Sequence, residues 1–192
     1  VLDIYRTIVA IPKARICYAA VMAEGLLVFG FTPHVALYLE DRHFGAVSEA
    51  GFVLGGMGIG GLLYGLTVSG IVRRFTLRTT MNAGALMVAA GLMLTALATG
   101  WAVVAVAYAF IGFGFYMLHS GIQTQVTEVY PPARGSVVSL HACSMFLGIS
   151  TGPMLVGALA ARIGYRPVLI GFSLAMAAVF LFVTARLERL KA

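Results

Sequence analysis

Five residues between Tyr108 and Gln123 recur at intervals of three and four: Tyr108, Gly112, Tyr116, His119 and Gln123. On a helix that spacing places them along one face. Their phenol, imidazole and carboxamide groups could exchange hydrogen bonds with a small polar solute, and the imidazole could also carry a proton. The opposite side holds Phe110, Phe113, Met117 and Gly121, which suit lipid or apolar packing. A second group with chemistry in it is Glu24, alone in the middle of an apolar run. A carboxyl there changes its charge state when its surroundings change, which makes it a candidate for coupling a proton to another event. For both features the plainer reading is structural. Tyr, His and Gln can cross-link neighbouring helices, and Glu24 can bond to an adjacent helix or pair with an Arg or Lys outside this chain. No basic residue of the chain is expected at the depth of Glu24.

Other chemistries find less support. His119 and His141 are expected at similar depth and could be imagined on a metal, but no His-Glu-x-x-His run and no nearby Asp or Cys set completes a site. There is no Gly-x-Ser-x-Gly run or Ser-His-Asp constellation for a membrane-embedded enzyme, and no filter-like loop or acidic ring for a channel. The glycines at 51, 55, 56, 58, 60, 61 and 65 lack the strand and the Lys-Ser/Thr pair of a phosphate loop. No metal or cofactor is expected.

The elements that must hold these groups follow from composition. Hydrophobic residues make up 60% of the 192 and charged residues 10%, far from the balance of a globular domain in water. A membrane span needs about 20 mostly apolar residues, and the charges and turn residues leave six such stretches, at roughly 15–39, 46–70, 79–99, 101–126, 136–161 and 165–186. Residues 1–14 read as a cytoplasmic connector, 15–186 as a six-helix membrane domain and 187–192 as a cytoplasmic tail. The net charge of +6 is scattered through short loops, which argues against a nucleic-acid partner. Arg6, Lys13, Arg15, Arg73, Arg74, Arg78, Arg134, Arg186, Arg189 and Lys191 fall on one side, and only Arg42, Arg162 and Arg166 on the other. By the positive-inside rule both termini are expected in the cytoplasm. Cys17 and Cys143 lie within spans, so no disulfide framework is implied. The sequence begins at Val1 without an initiator Met, and a preceding segment is expected.

Within the spans, Pro33 is expected to kink the outer half of the first. Glu49, just after Ser48, suits a helix start as a cap. Thr99-Gly100 is too short to let the third and fourth spans be anything but antiparallel neighbours. The third and sixth, poor in polar groups, are expected to face lipid. The many glycines of the second span form small-xxx-small pairs for close helix approach. Gly58 through Gly65 there echoes Gly148 through Gly157 in the fifth, and each lies in the middle helix of three, as in inverted-repeat transporters.

These residues resemble the major facilitator superfamily of secondary transporters, and in particular its C-terminal six-helix half. The Pro132-Ala133-Arg134-Gly135 element, shifted by one, resembles the family's Pro-x-x-Arg-Gly loop between its tenth and eleventh helices. Gly148, Gly152 and Pro153, with Gly157, resemble its Gly-x-x-x-Gly-Pro packing pattern. The family's basic loop, Gly-x-Leu-Ala-Asp-Arg-x-Gly-Arg-Arg, maps onto residues 65–74, where Gly65, Arg73 and Arg74 are kept and the Asp is replaced by Ser69. The resemblance implies an all-α fold of six transmembrane helices in a 3+3 inverted repeat, half of a twelve-helix transporter. It implies secondary active transport of a small molecule by alternating access, with no enzymatic activity, in a cell (inner) membrane and with an N-terminal six-helix half as partner. It also assigns the first and fourth spans, those of Glu24 and His119, to the central cavity.

Overall fold

The computed structural model describes residues 2–190; Val1, Lys191 and Ala192 lie outside the described residues, so the basic count at Lys191 and the chain start at Val1 do too. Runs of Leu, Val, Ala, Ile and Phe longer than two membrane-crossing turns become helices throughout, because in lipid only a helix satisfies every backbone group within one segment. A short helix α1 (Leu2–Ala10) precedes the spans, so the connector is helical over most of its length. The first span is α2 (Pro12–Phe29), a 3₁₀ turn at Thr32–His34, and α3 (Val35–Asp41). Then follow α4 (Val47–Arg74), α5 (Leu77–Leu97), α6 (Trp101–Thr127), α7 (Arg134–Ile163) and α8 (Tyr165–Arg189). Six helices are long and apolar enough to cross a membrane, and no strand occurs among the described residues.

Local chemistry accounts for the ends. Pro12 opens α2, where a missing N–H costs nothing. Pro33 breaks the first span, and the His34 N–H is taken up by the Phe31 carbonyl at 2.9 Å. The Glu49 carboxylate accepts the Ala46 N–H at 2.8 Å and the Ser48 hydroxyl at 2.7 Å, capping α4. Thr76 caps α5 by accepting the Thr79 N–H at 3.2 Å. Gly164, at φ +80, makes the turn between α7 and α8 in a region that a side chain would strain.

Two helix pairs set the frame. α7 runs alongside the first span: a Cβ on Gly148 would lie 2.1 Å from the Met22 carbonyl oxygen, and one on Gly152 2.7 Å from that of Leu26. α4 runs alongside α6 in the same way: a Cβ on Gly56 would lie 2.3 Å from the Ala105 carbonyl oxygen and one on Gly60 2.0 Å from that of Ala109. Only glycine allows backbones this close. The echo between the second and fifth spans is therefore out of register with the packing: Gly56 and Gly60 do in α4 what Gly148 and Gly152 do in α7, while Gly58 and Gly65 face open space.

α5 lies antiparallel to α6, through Gly84 on Gly114 and Gly91 on Ala107, and it also packs on α8, where the Ser173 hydroxyl donates to the Ala89 carbonyl at 2.7 Å. The third and sixth spans are not the open ones of this bundle. Of the apolar stretch of α5, 56% is buried, and of that of α8, 44%; for α4 and for α7 the share is 22%. A lack of polar groups says what a helix tolerates, not where it sits, and the small residues of α5 fit it for close packing instead. The open faces are apolar, with Phe52, Leu62 and Leu66 on α4 and Phe146 and Met154 on α7 exposed.

Candidate functional site

Glu24 lies on the first span with no exposed surface at all. One of its oxygens, Oε2, is 2.8 Å from Nδ1 of His119 on α6. This overturns the expectation that no basic group of the chain stands at its depth. The two residues are 95 positions apart and come together because α2 and α6 cross in the bundle. Nδ1 donates when Glu24 is ionised and accepts when Glu24 carries the proton, so the pair can hold a proton at either atom. The other carboxyl oxygen, Oε1, is enclosed and has no partner among the described residues.

The imidazole of His119 is held from both sides. Phe115, one turn back on α6, stacks on it with ring centroids 5.2 Å apart and planes at 29°. Phe115 is fixed in turn by an edge-to-face contact with Phe29 of α2 at 5.1 Å. On a third side the ring of His141, from α7, stands 5.2 Å from that of His119. His141 is buried, with neither nitrogen partnered among the described residues. One turn toward the start of α7, the Tyr18 hydroxyl donates to the Val137 carbonyl at 3.2 Å and ties α2 to α7. A carboxyl and two imidazoles from three different helices thus form one polar cluster in an apolar interior. No three His, Cys, Asp or Glu side chains are placed to hold a metal ion together among the described residues.

The five-residue stripe divides along its length. Tyr108 is buried, and Gly112 is pressed against the Met57 carbonyl of α4, where a Cβ would come within 2.1 Å. These two serve packing. Tyr116 is 46% exposed and covers Gly61 of α4, His119 keeps 22% of its side-chain surface open, and Gln123 is exposed. The open part of the stripe is therefore its half nearer the chain termini, and within it His119 is the residue bonded to Glu24. On the opposite side Phe113 meets Tyr64 edge-on at 5.7 Å and Gly121 lies on Met81, both packing contacts, while Phe110 is exposed.

The remaining sequence-predicted residues are not part of this cluster. Arg73 donates to the Ser69 carbonyl of its own helix at 3.0 Å, Arg74 is exposed, and Gly65 faces open space. With Ser69 in place of an acid, the end of α4 holds no carboxylate to latch either arginine. Arg134 and Gly135 are exposed at the first turn of α7. Pro153 sits inside α7, and its carbonyl accepts from His34 Nε2 at 3.0 Å, while a Cβ on Gly157 would lie 3.4 Å from the His34 ring. Gly148, Gly152, Pro153 and Gly157 thus all meet the first span.

Sequence reasoning missed the Glu24–His119 contact and the role of His141 beside it. A signal was present: an acid in mid-span calls for a partner within the membrane, and the imidazoles of His119 and His141 on other spans could donate to it. No curated protein matches the chain. The model of the Major Facilitator Superfamily matches residues 11–191, from the connector to beyond the last helix. With six apolar helices and a family match over nearly its whole length, the chain belongs to the Major Facilitator Superfamily, whose members are membrane transporters and not enzymes.

Proposed function

We propose that the chain is the C-terminal six-helix half of a secondary transporter that moves a small molecule across the cell membrane by alternating access, with both termini in the cytoplasm. The observation that carries the reading is Glu24, wholly buried at mid-span and bonded to His119, whose side chain keeps 22% of its surface open. An enclosed carboxyl is costly in a membrane and has little structural value that an apolar residue could not supply. Here it can exchange a proton with His119: carboxylate plus imidazolium becomes carboxylic acid plus imidazole. A cavity that opens alternately to two sides would load His119 from one side and unload it to the other, with Glu24 holding the proton between. Tyr116 and Gln123, beside His119 on the open stripe, then take the solute, and a second, N-terminal half closes the cavity over α4 and α7.

The paired glycine contacts support a 3+3 inverted repeat. Exchanging the first span with the fourth and the second with the fifth carries Gly56 and Gly60 on Ala105 and Ala109 onto Gly148 and Gly152 on Met22 and Leu26, with the same four-residue step on both helices. The cytoplasmic placement of the termini rests on the basic residues gathered at their end of the bundle.

Solute exchange by the full-length protein in reconstituted vesicles tests the reading. Uptake should saturate with solute and accelerate when unlabelled solute is placed inside. Linear, unsaturated flux would be that of a channel and would contradict it.

A further inference from the structure

The transport reading makes no use of His141. The residue is buried, with 3% of its surface exposed, and neither ring nitrogen has a hydrogen-bond partner among the described residues. A neutral imidazole has one N–H to donate and one bare nitrogen to accept, and enclosing both unpartnered carries the penalty that hydrogen bonding normally removes. A flat apolar ring would fill the same place without that cost. A partner brought by a second, N-terminal half would not reach the nitrogens, because this chain already covers them. His141 therefore calls for a partner inside its own cluster.

The titratable groups of that cluster are His119 of α6 and, from α2, Glu24 and Tyr18. The Tyr18 hydroxyl is engaged on the Val137 carbonyl, and Glu24 Oε2 on His119 Nδ1. That leaves Nε2, the second nitrogen of His119. The two imidazole centres stand 5.2 Å apart with planes at 49°. An N–H···N bond of about 2.9 Å between rings whose nitrogens lie about 1.1 Å from their centres needs those centres about 5.1 Å apart. The spacing already fits, and what is lacking is a turn of the His141 ring about Cβ–Cγ, a torsion with broad wells. We propose that His141 is a second proton carrier, which turns to accept from His119 Nε2 and takes a proton passed through His119 from Glu24. The O–H bond of Glu24 breaks as an N–H bond forms at His119 Nδ1, and the Nε2–H bond of His119 breaks as an N–H bond forms on His141. A carboxylic acid and two neutral imidazoles become a carboxylate, His119 in its other tautomer and an imidazolium on His141. The proton thereby moves from α2 to α7, and a shift of α7 against α6 makes or breaks the wire. The inference rests on the proton-coupled reading of Glu24 and adds the residue that hands the proton on.

Nitrogen-15 spectroscopy of the full-length protein, labelled at histidine and held in lipid nanodiscs, tests this with deuterium oxide as the only probe. Between about pH 5 and pH 8 a coupling across the N–H···N bond should join His119 Nε2 to a nitrogen of His141. After transfer to deuterium oxide the His141 N–H should exchange by way of His119, part of whose side chain is open. Glu24→Met combined with His119→Leu removes the route while exchanging both buried partners for apolar groups. In that protein the exchange should slow by about a hundredfold, the lower end of what a placed proton carrier contributes. A histidine that merely fills space would show no coupling and would exchange equally slowly in both proteins. Should the double variant fail to fold, the coupling in the parent decides. Absence of the coupling throughout that pH range, or equal exchange rates in parent and variant, overturns the proposal. No solute takes part, so the wire can fail while solute-evoked proton movement through Glu24 stands, and the two failures are told apart.

Discussion

Replacing His119 by Leu removes the one hydrogen-bond partner that a carboxyl group with no exposed surface has among the described residues. Glu24 Oε1 is already unpartnered, so after the substitution neither oxygen has a hydrogen bond among the described residues. Truncating one member of a buried pair costs about 3–5 kcal/mol, whereas an exposed pair is worth only about 0.2–1 kcal/mol. Here one side chain is fully enclosed and the other 22% open, which places the cost at the lower end of the buried range, about 3 kcal/mol. That corresponds to roughly a hundredfold loss in the unfolding equilibrium, since each 1.4 kcal/mol is about tenfold. The size depends on the acid left behind, not on the imidazole lost. Glu24→Met combined with His119→Leu should therefore recover most of the stability and come within about 1 kcal/mol of the parent, because exchanging both partners for apolar groups of similar shape is nearly neutral. Reversible unfolding in mixed detergent micelles reads all four proteins of the double-mutant cycle. Two outcomes refute the reasoning. Either the single His119→Leu variant is as stable as the parent, or the double variant is less stable than it.

Other perturbations separate packing from function. Gly60→Ala should destabilise the bundle by about 1–3 kcal/mol as the new methyl group meets the Ala109 carbonyl. Gly58→Ala, two residues away and facing open space, should stay within about 0.5 kcal/mol; thermal unfolding of the pair compares them directly. Gln123→Ala and Tyr116→Ala should alter apparent solute affinity or rate in vesicles by roughly tenfold while leaving membrane insertion intact, as loss of one solute hydrogen bond implies. Wild-type transport in both would reduce the open stripe to surface. Asp41→Cys, at the end of the first span away from the termini, should react with an impermeant thiol reagent from outside the cell only. Reaction from the cytoplasmic side alone would invert the topology.

The six spans were legible in the sequence because length and hydropathy decide them one segment at a time. Capping by Glu49, the break at Pro33 and the antiparallel pairing across Thr99-Gly100 were legible for the same reason: each depends on residues close in sequence. What could not be read was the rotation of each helix about its axis. Gly58 and Gly148 look alike as strings, but only the packed bundle puts Gly56 and Gly60 at the α6 contact and leaves Gly58 outside. The stripe on α6 shows both sides of this. Periodicity aligned its five residues, yet two of them turned to packing, because the neighbours α4 and α2 come from elsewhere in the chain. The contact between Glu24 and His119 lies on the same level, since which spans cross, and at what height, follows from the sum of many weak helix contacts.

The proposal that Glu24 carries the coupled proton is tested most directly by Glu24→Gln in the full-length transporter, reconstituted in vesicles with a pH-sensitive dye inside. The amide keeps the shape of the carboxyl and can still bond to His119, but it cannot titrate. A solute that evokes proton movement through the parent should evoke none through the variant, and uphill accumulation on an imposed pH gradient should disappear while exchange of solute for solute continues. Solute-driven proton movement in Glu24→Gln equal to that of the parent would contradict the account.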